Sequence, residues 1–176
     1  MSLATVNIPV VETERLLLRA NRESDFEAYL AFDASERSHW VGGPIDRWTS
    51  WRKFLSTLGH WALHGYGLWT VEIKDTGAVA GRVGFNNHDG WLEPEIGWSI
   101  FDGFEGQGIA REAAEAALAY GARHFGIDGP ISYIHPDNTR SAALAERLGA
   151  HREREVEFFN APCVVWRHPR RTEAAA

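Results

Sequence analysis

The stretch FEGQGIARE, residues 104–112, constrains this chain more than any other, because it sets two glycines at the entrance of a strongly helical run. The run IAREAAEAALAYGARHFG is rich in alanine, and Ile109, Ala113, Ala116 and Tyr120 recur at spacings of four, three and four, the period of a one-sided helix. Glycine in the first turn of such a helix costs stability. Gly106 and Gly108 therefore serve either a backbone conformation that other residues resist or a ligand that must come close to the backbone.

Both explanations have a physical basis. A helix N-terminus exposes four unpaired N–H groups and carries about half a positive charge, so it holds an anion without a cationic side chain. With no Cβ at 106 or 108, a phosphate can approach the amides of residues 106 to 111. Taken alone, the pattern reads first as a plain strand-to-helix junction with Gly106 at positive φ. It is not a Walker loop, since no Gly-Lys-Ser/Thr follows, and it is not GxGxxG, since position 111 is Arg. Nucleotide hydrolysis and nicotinamide binding lose ground accordingly.

The rest of the chain supplies a mixed set of elements. ERLLLRA at 14–20 reads as a strand, and SDFE at 24–27 as a capping box with Ser24 as N-cap, opening a short helix that buries Phe26, Tyr29 and Leu30. After Gly42, Gly43 and Pro44, Asp46 can cap a second helix in which Trp48, Trp51, Phe54 or Leu55, and Leu58 repeat at helical spacing. LWTVEIK, AVAGRVGFNN and WLEPEIGWSIF, parted by the turns DTG and HDG, read as three antiparallel strands. The alanine helix follows, then PISYIHP as a strand and DNTRSAALAERLG as a helix capped by Asp137 or Asn138 and stopped by Gly149. HREREVEFFN and CVVWRHP close the chain as two strands. The expected fold is α+β, a three-layer α/β/α arrangement: a mixed, mostly antiparallel sheet with helices on both faces. At 176 residues the expected organisation is a single domain over 1–170 with a frayed tail at 171–176.

Charge and cysteine content narrow the partners. The net charge is −6 and no stretch gathers enough Lys and Arg for a nucleic-acid footprint. No apolar run reaches the length of a membrane span, and the first residues lack a basic segment followed by an apolar one, so the expectation is a soluble, cytoplasmic protein. The one cysteine, Cys163, has no partner for a disulfide and lies in PCVVW, where a packed core thiol is the expected state. No metal site is expected.

Read together, EIGWSIFDGFEGQGIAREAAEAAL and ISYIHPDNTRSAALAERLGA resemble the acetyl-CoA-binding half of the GNAT superfamily of N-acetyltransferases, in its RimJ/RimL-like branch. The matching features are EIGW, the GxGxA turn at Gly106, Gly108 and Ala110, and the segment from Asn138 and Ser141 to Gly149. With the ERLLLR strand and the two early helices, the resemblance spans residues 12 to 168. It implies acetyl-CoA as acyl donor, its pyrophosphate on the amides of Gly106, Gln107, Gly108, Ile109, Ala110 and Arg111. The pantetheine would run between strands 95–101 and 131–136 and pair with backbone around Trp98, Ser99 and Ile100, with Gly97 easing a bulge. Two positions depart from the family pattern. Glu105 sets a carboxylate near the pyrophosphate and is expected to face solvent or a cation such as Arg111. The tyrosine that many members use as general acid corresponds to Ala145.

Acetyl transfer to an amine needs a neutral nucleophile, support for the oxyanion and a proton for the departing thiolate. A backbone N–H near Trp98 or Ser99 suits the oxyanion. Ser141 suits the sulfur, with Asn138 ordering its loop; the alternative is a first-turn serine that bonds only backbone. Glu95 is the first candidate base, with Glu93 and His135 behind it; the plain alternatives are a loop anchor for Glu95, a solvated side chain for Glu93 and a structural loop for His135. His88, in the HDG turn, is expected to be exposed. Trp40, His60, Trp61 and His64 could wall an acceptor pocket for an apolar amine or a protein or peptide N-terminus, whereas Trp48 and Trp51 are expected in the core. The resemblance also implies a possible homodimer. A cradle that binds acetyl-CoA without turnover, as a sensor or interaction module, is the second reading, motivated by Ala145 and Glu105.

Overall fold

The computed structural model of the protein describes residues 6–171. In chain order the elements are β1 (Val11–Glu12), β2 (Leu16–Arg19), α1 (Phe26–Asp33), α2 (Arg47–His64), β3 (Leu68–Ile73), β4 (Val79–Asn86), β5 (Glu95–Ile100), α3 (Ile109–Tyr120), β6 (Ile131–Ile134), α4 (Thr139–Arg147), β7 (His151–Phe158) and β8 (Ala161–Arg167). The eight strands form one sheet in the order β1-β2-β3-β4-β5-β6-β8-β7. Every neighbouring pair is antiparallel except β5 and β6, which run parallel. The expected fold class is the observed one.

Period-two alternation divides the sheet's two faces. Leu16, Leu18, Trp69, Val71, Val83 and Phe85 point one way and meet Ile109, Ala113 and Ala117 of α3. On the other face Thr70, between Trp69 and Val71, bonds the hydroxyl of Tyr29 at 2.8 Å, and Phe26, Tyr29 and Phe32 of α1 pack with Phe54 of α2 and Phe101. The helices therefore cover both faces. Gly121, at the turn of π-helix that ends α3, has no room for a Cβ against the Phe85 ring, so glycine there sets how closely α3 lies on the sheet.

Two expected caps form: Asp46 Oδ1 accepts from Thr49 N at 3.0 Å, and Asn138 Oδ1 from Ser141 N at 3.2 Å. The Ser24 capping box does not. A short 3-10 turn, Glu23–Asp25, precedes α1, and it is Asp25 that accepts from Arg22 N at 2.7 Å. Asp25 is also held in a buried ion pair by Arg19 at 2.7 Å, with Glu72 on the same guanidinium at 2.5 Å, and this cluster fixes the entry to α1. On α3 the buried stripe runs through Ile109, Ala113, Ala114, Ala117 and Leu118, leaving Ala116 and Tyr120 at its margin. Two tryptophans are also relocated. Trp48 is 68% exposed, while Trp61 is 2% exposed and donates to Leu68 O at 2.9 Å from inside the α3 core. The tail from residue 172 onward lies outside the described residues. Among the described residues no helix is long and apolar enough to cross a membrane.

Candidate active site

The site begins where β5 and β6 part. They pair only at Glu95 and Ile131, while β6 stays paired with β8 along its whole length, from Ile131–Arg167 to Ile134–Val164. Beyond Glu95 the strands diverge and a cavity of about 810 Å³ opens beside them, with Trp98, Ser99, His135, Asn138 and Ser141 in its lining. Strand alternation decides what β5 offers this gap. Phe101 N donates to Ala80 O in β4, so the amides of Ser99 and Gly97 also face β4. Ile96, Trp98 and Ile100 turn their backbone groups the other way. Two carbonyls confirm it, since Ile96 O accepts from Ser132 Oγ at 2.6 Å and Ile100 O from Arg37 at 2.9 Å. Trp98 and Ile100 thus present backbone to the gap, and Ser99 lines the cavity by its side chain.

The glycine turn sits at the start of α3, and α4 starts directly after β6, so both N-termini follow the C-terminal ends of the diverging strands. Gly106 and Gly108 have φ of 71° and 77°, so the backbone alone requires glycine at both. The space over them is open as well. A Cβ at Gly106 would meet nothing within 4 Å, and at Gly108 only Arg15 Nη2 at 3.4 Å. The turn is an exposed ledge and is not part of the cavity lining. Ile109 puts its side chain in the core, so only its amide is available to a ligand. Arg111 is engaged with Glu115 at 2.8 Å. Glu105 consequently finds another cation than Arg111: it pairs with Arg37 at 2.7 Å, and Asp102 shares that guanidinium.

A second cation holds the turn from below. Arg15 Nη1 donates to Gln107 O at 3.0 Å, and its Nε to Glu112 Oε2 at 2.7 Å. Glu112 Oε1 also accepts from Thr13 Oγ1 and Arg15 N at 2.6 and 3.0 Å. These bonds tie the first turn of α3 to the start of β2, and they hold Glu112 below its ordinary carboxylate range against the cost of burial.

Glu95, Trp40, Lys53, His60 and His88 also line the cavity. Glu95 Oε2 accepts from Tyr133 N at 3.1 Å. Burial pushes its carboxyl up to about 8, against the opposing bonds from Tyr133 N and the Asn86 side chain. Glu93 is instead an anchor, gripped by both terminal nitrogens of Arg167 at 2.6 and 2.7 Å. His135 Nδ1 accepts from Asp137 N at 3.2 Å and its ring packs on Trp40, at 4.8 Å between centroids. His60 is locked neutral. Its Nδ1 donates to Tyr66 O at 2.8 Å and its Nε2 accepts from Asn87 N at 3.1 Å, and burial lowers its pKa. His88 is exposed at the rim, as expected of the HDG turn. Lys53 reaches Val41 O at 3.1 Å and Asp33 at 3.4 Å, and burial with Arg82 nearby lowers it to about 8. Trp61 and His64 do not line the cavity. Cys163 is a buried thiol pushed up to about 11, primarily by desolvation. Ala145 is fully buried against Ile134, Val164 and Trp166, where a tyrosine would not fit without repacking. Among the described residues no His, Cys, Asp or Glu cluster could hold a metal ion.

Residues 15–151 match the family model for the acetyltransferase (GNAT) domain. An acetyltransferase crystal structure from Agrobacterium tumefaciens is 36% identical, with a TM-score of 0.85 over 96% of this chain and 98% of that one. YkkB of Bacillus subtilis is 28% identical over 163 residues, covering 88% of this chain and 92% of its own length. RimL, a ribosomal alpha-N-protein acetyltransferase in complex with coenzyme A, shares the fold at 18% identity and a TM-score of 0.75, over 92% of this chain and 98% of that one.

Proposed function

The chain belongs to the GNAT acetyltransferase family, whose reaction is acetyl-CoA-dependent acetyl transfer, and from that premise we propose that it acetylates a primary amine by direct attack on the thioester. The observation that carries this reading is the gap between β5 and β6, which bares the backbone of Trp98 and Ile100 beside the first turn of α4. Acetyl-CoA supplies the activated acetyl group. The amides of residues 106–111 hold its pyrophosphate on the open ledge, and the backbone of Trp98 and Ile100 pairs with its pantetheine as an added strand would. Trp98 N–H is the donor placed for the thioester carbonyl, in keeping with its turn toward the gap. Ser141 Oγ hydrogen-bonds the sulfur and relays to the thiolate a proton that it regains from water, and Asn138 fixes that turn through Ser141 N. Glu95 takes the proton from the amine, directly or through water, since a base poised near the working pH is the effective one.

The acceptor is an amine-bearing small molecule or a protein or peptide N-terminus, entering past Trp40, His88 and Glu95. The likeness to RimL supports the second of these and a RimJ/RimL-like placement. We place the activity in the cytoplasm, in one domain spanning residues 1–170, with a homodimer as its assembly. With Ala145 buried in a packed core, the role of the missing tyrosine falls to Ser141 in this reading. The test is release of free coenzyme A thiol from acetyl-CoA in the presence of a panel of amines and N-terminal peptides. Amine-dependent release supports the proposal; acetyl-CoA binding with no release for any acceptor would favour a silent sensor.

A further inference from the structure

The single parallel rung between β5 and β6 shows how the gap is kept open. Ile131 N donates to Pro94 O at 3.4 Å, which fixes the register of the ladder. In that register the next bond of a parallel pair would run from Tyr133 N to Ile96 O, and the one after from Trp98 N to Tyr133 O. Both partners of the first are already engaged. Tyr133 N–H goes to Glu95 Oε2 at 3.1 Å, and Ile96 O accepts from Ser132 Oγ at 2.6 Å.

We infer that Ser132 and Glu95 are positioning residues that divert both ends of this rung, holding β6 off β5 and leaving Trp98 N–H unpaired for a ligand. Ser132 is itself held in place. Its one proton goes to a carbonyl, which can only accept, so the contact at 3.0 Å with His168 must be His168 Nε2–H donating to Ser132 Oγ. His168 is 1% exposed, so the serine hydroxyl has one orientation. β6 loses nothing by the diversion, because its other edge pairs fully with β8. The consequence for acetyl-CoA rests on the function proposed above; the diversion itself does not.

Amide hydrogen exchange of the ligand-free full chain tests it. In Ser132→Ala, Ile96 O is released, Tyr133 N–H returns to it, and Trp98 N–H pairs with Tyr133 O. Exchange at Trp98 should slow by about tenfold. A merely structural serine would give the opposite sign, since loosening speeds exchange. Ser132→Thr keeps the hydroxyl and should restore the fast rate, and acetyl-CoA should bind about tenfold more weakly to Ser132→Ala than to the wild type. If Ser132→Ala does not fold, Glu95→Ala releases the other partner and should slow the same amide. Unchanged or faster exchange at Trp98 in whichever variants fold overturns the inference. Wild-type protein that fails to bind acetyl-CoA would sink the family chemistry and leave the exchange result standing.

Discussion

If Glu95 is the base, activity should follow the ionisation of one carboxyl held up to about 8 by burial. Such a group is neutral below its pKa and ionised above it, so the active fraction is about 0.09 at pH 7 and about 0.91 at pH 9, a rise of about tenfold. The amine's own titration would obscure this in a single profile. It cancels when wild type and Glu95→Gln are compared with the same acceptor at each pH. The ratio of their kcat/KM values should grow about tenfold from pH 7 to pH 9 and reach ~10²–10⁴ on the plateau, the range for loss of a general base. Glutamine is the right replacement because its side-chain oxygen still accepts from Tyr133 N, so the strands stay apart. A ratio flat across that range, or a Glu95→Gln enzyme as fast as wild type, would refute the assignment and leave Glu95 as an anchor for β6.

Replacing Gly108 by Leu forces a side chain onto φ of 77° and covers the ledge over α3; acetyl-CoA binding should be lost while circular dichroism shows the fold retained. Gly121→Ala should cost ~1–3 kcal/mol in urea unfolding, because the new Cβ would overlap the Phe85 ring. Glu112→Ala removes the acceptor shared by Thr13 Oγ1, Arg15 N and the Arg15 guanidinium, all of them within reach of water, and should cost ~0.5–1.5 kcal/mol by the same measurement. His168 should weaken the fold in acid. Burial lowers it to about 4 from the 6.5 of the unfolded chain, so the folded state binds fewer protons and stability present above pH 6.5 drains away as pH falls toward 4. The loss from this residue between pH 7 and pH 5 is ~2 kcal/mol, and a His168→Phe variant should show that much less acid sensitivity in denaturant midpoints.

Periodicity and capping made most of the fold legible. The three antiparallel strands, the glycine turn and the caps at Asp46 and Asn138 are all local patterns, and the structure carries each of them. Failures came where distant residues decide. Ser24 loses the cap because Arg19, on another element, recruits Asp25; Trp48 and Trp61 exchange their expected places because the facing of α2 depends on what packs against it. Glu105 pairs with Arg37, which lies far along the chain, so nearness in sequence pointed to the wrong cation. Of the residues that line the cavity, Glu95, Asn138 and Ser141 could be picked out by residue type and position. Ser132 and His168 could not, since a serine within an apolar strand and a histidine in a C-terminal RHP have no pattern until β6 and β8 are seen side by side. Arg15 likewise looks like any charged strand residue, and its grip on Gln107 and Glu112 exists only in three dimensions.

The most direct test of the account is isothermal titration of the purified, folded protein with acetyl-CoA, using ATP and NAD as control ligands. The account predicts saturable binding of one acetyl-CoA per chain and no comparable heat with either control. An intact protein that gives no heat with acetyl-CoA, or that binds all three alike, would contradict the claim that the parted strands and the glycine ledge form an acetyl-CoA site.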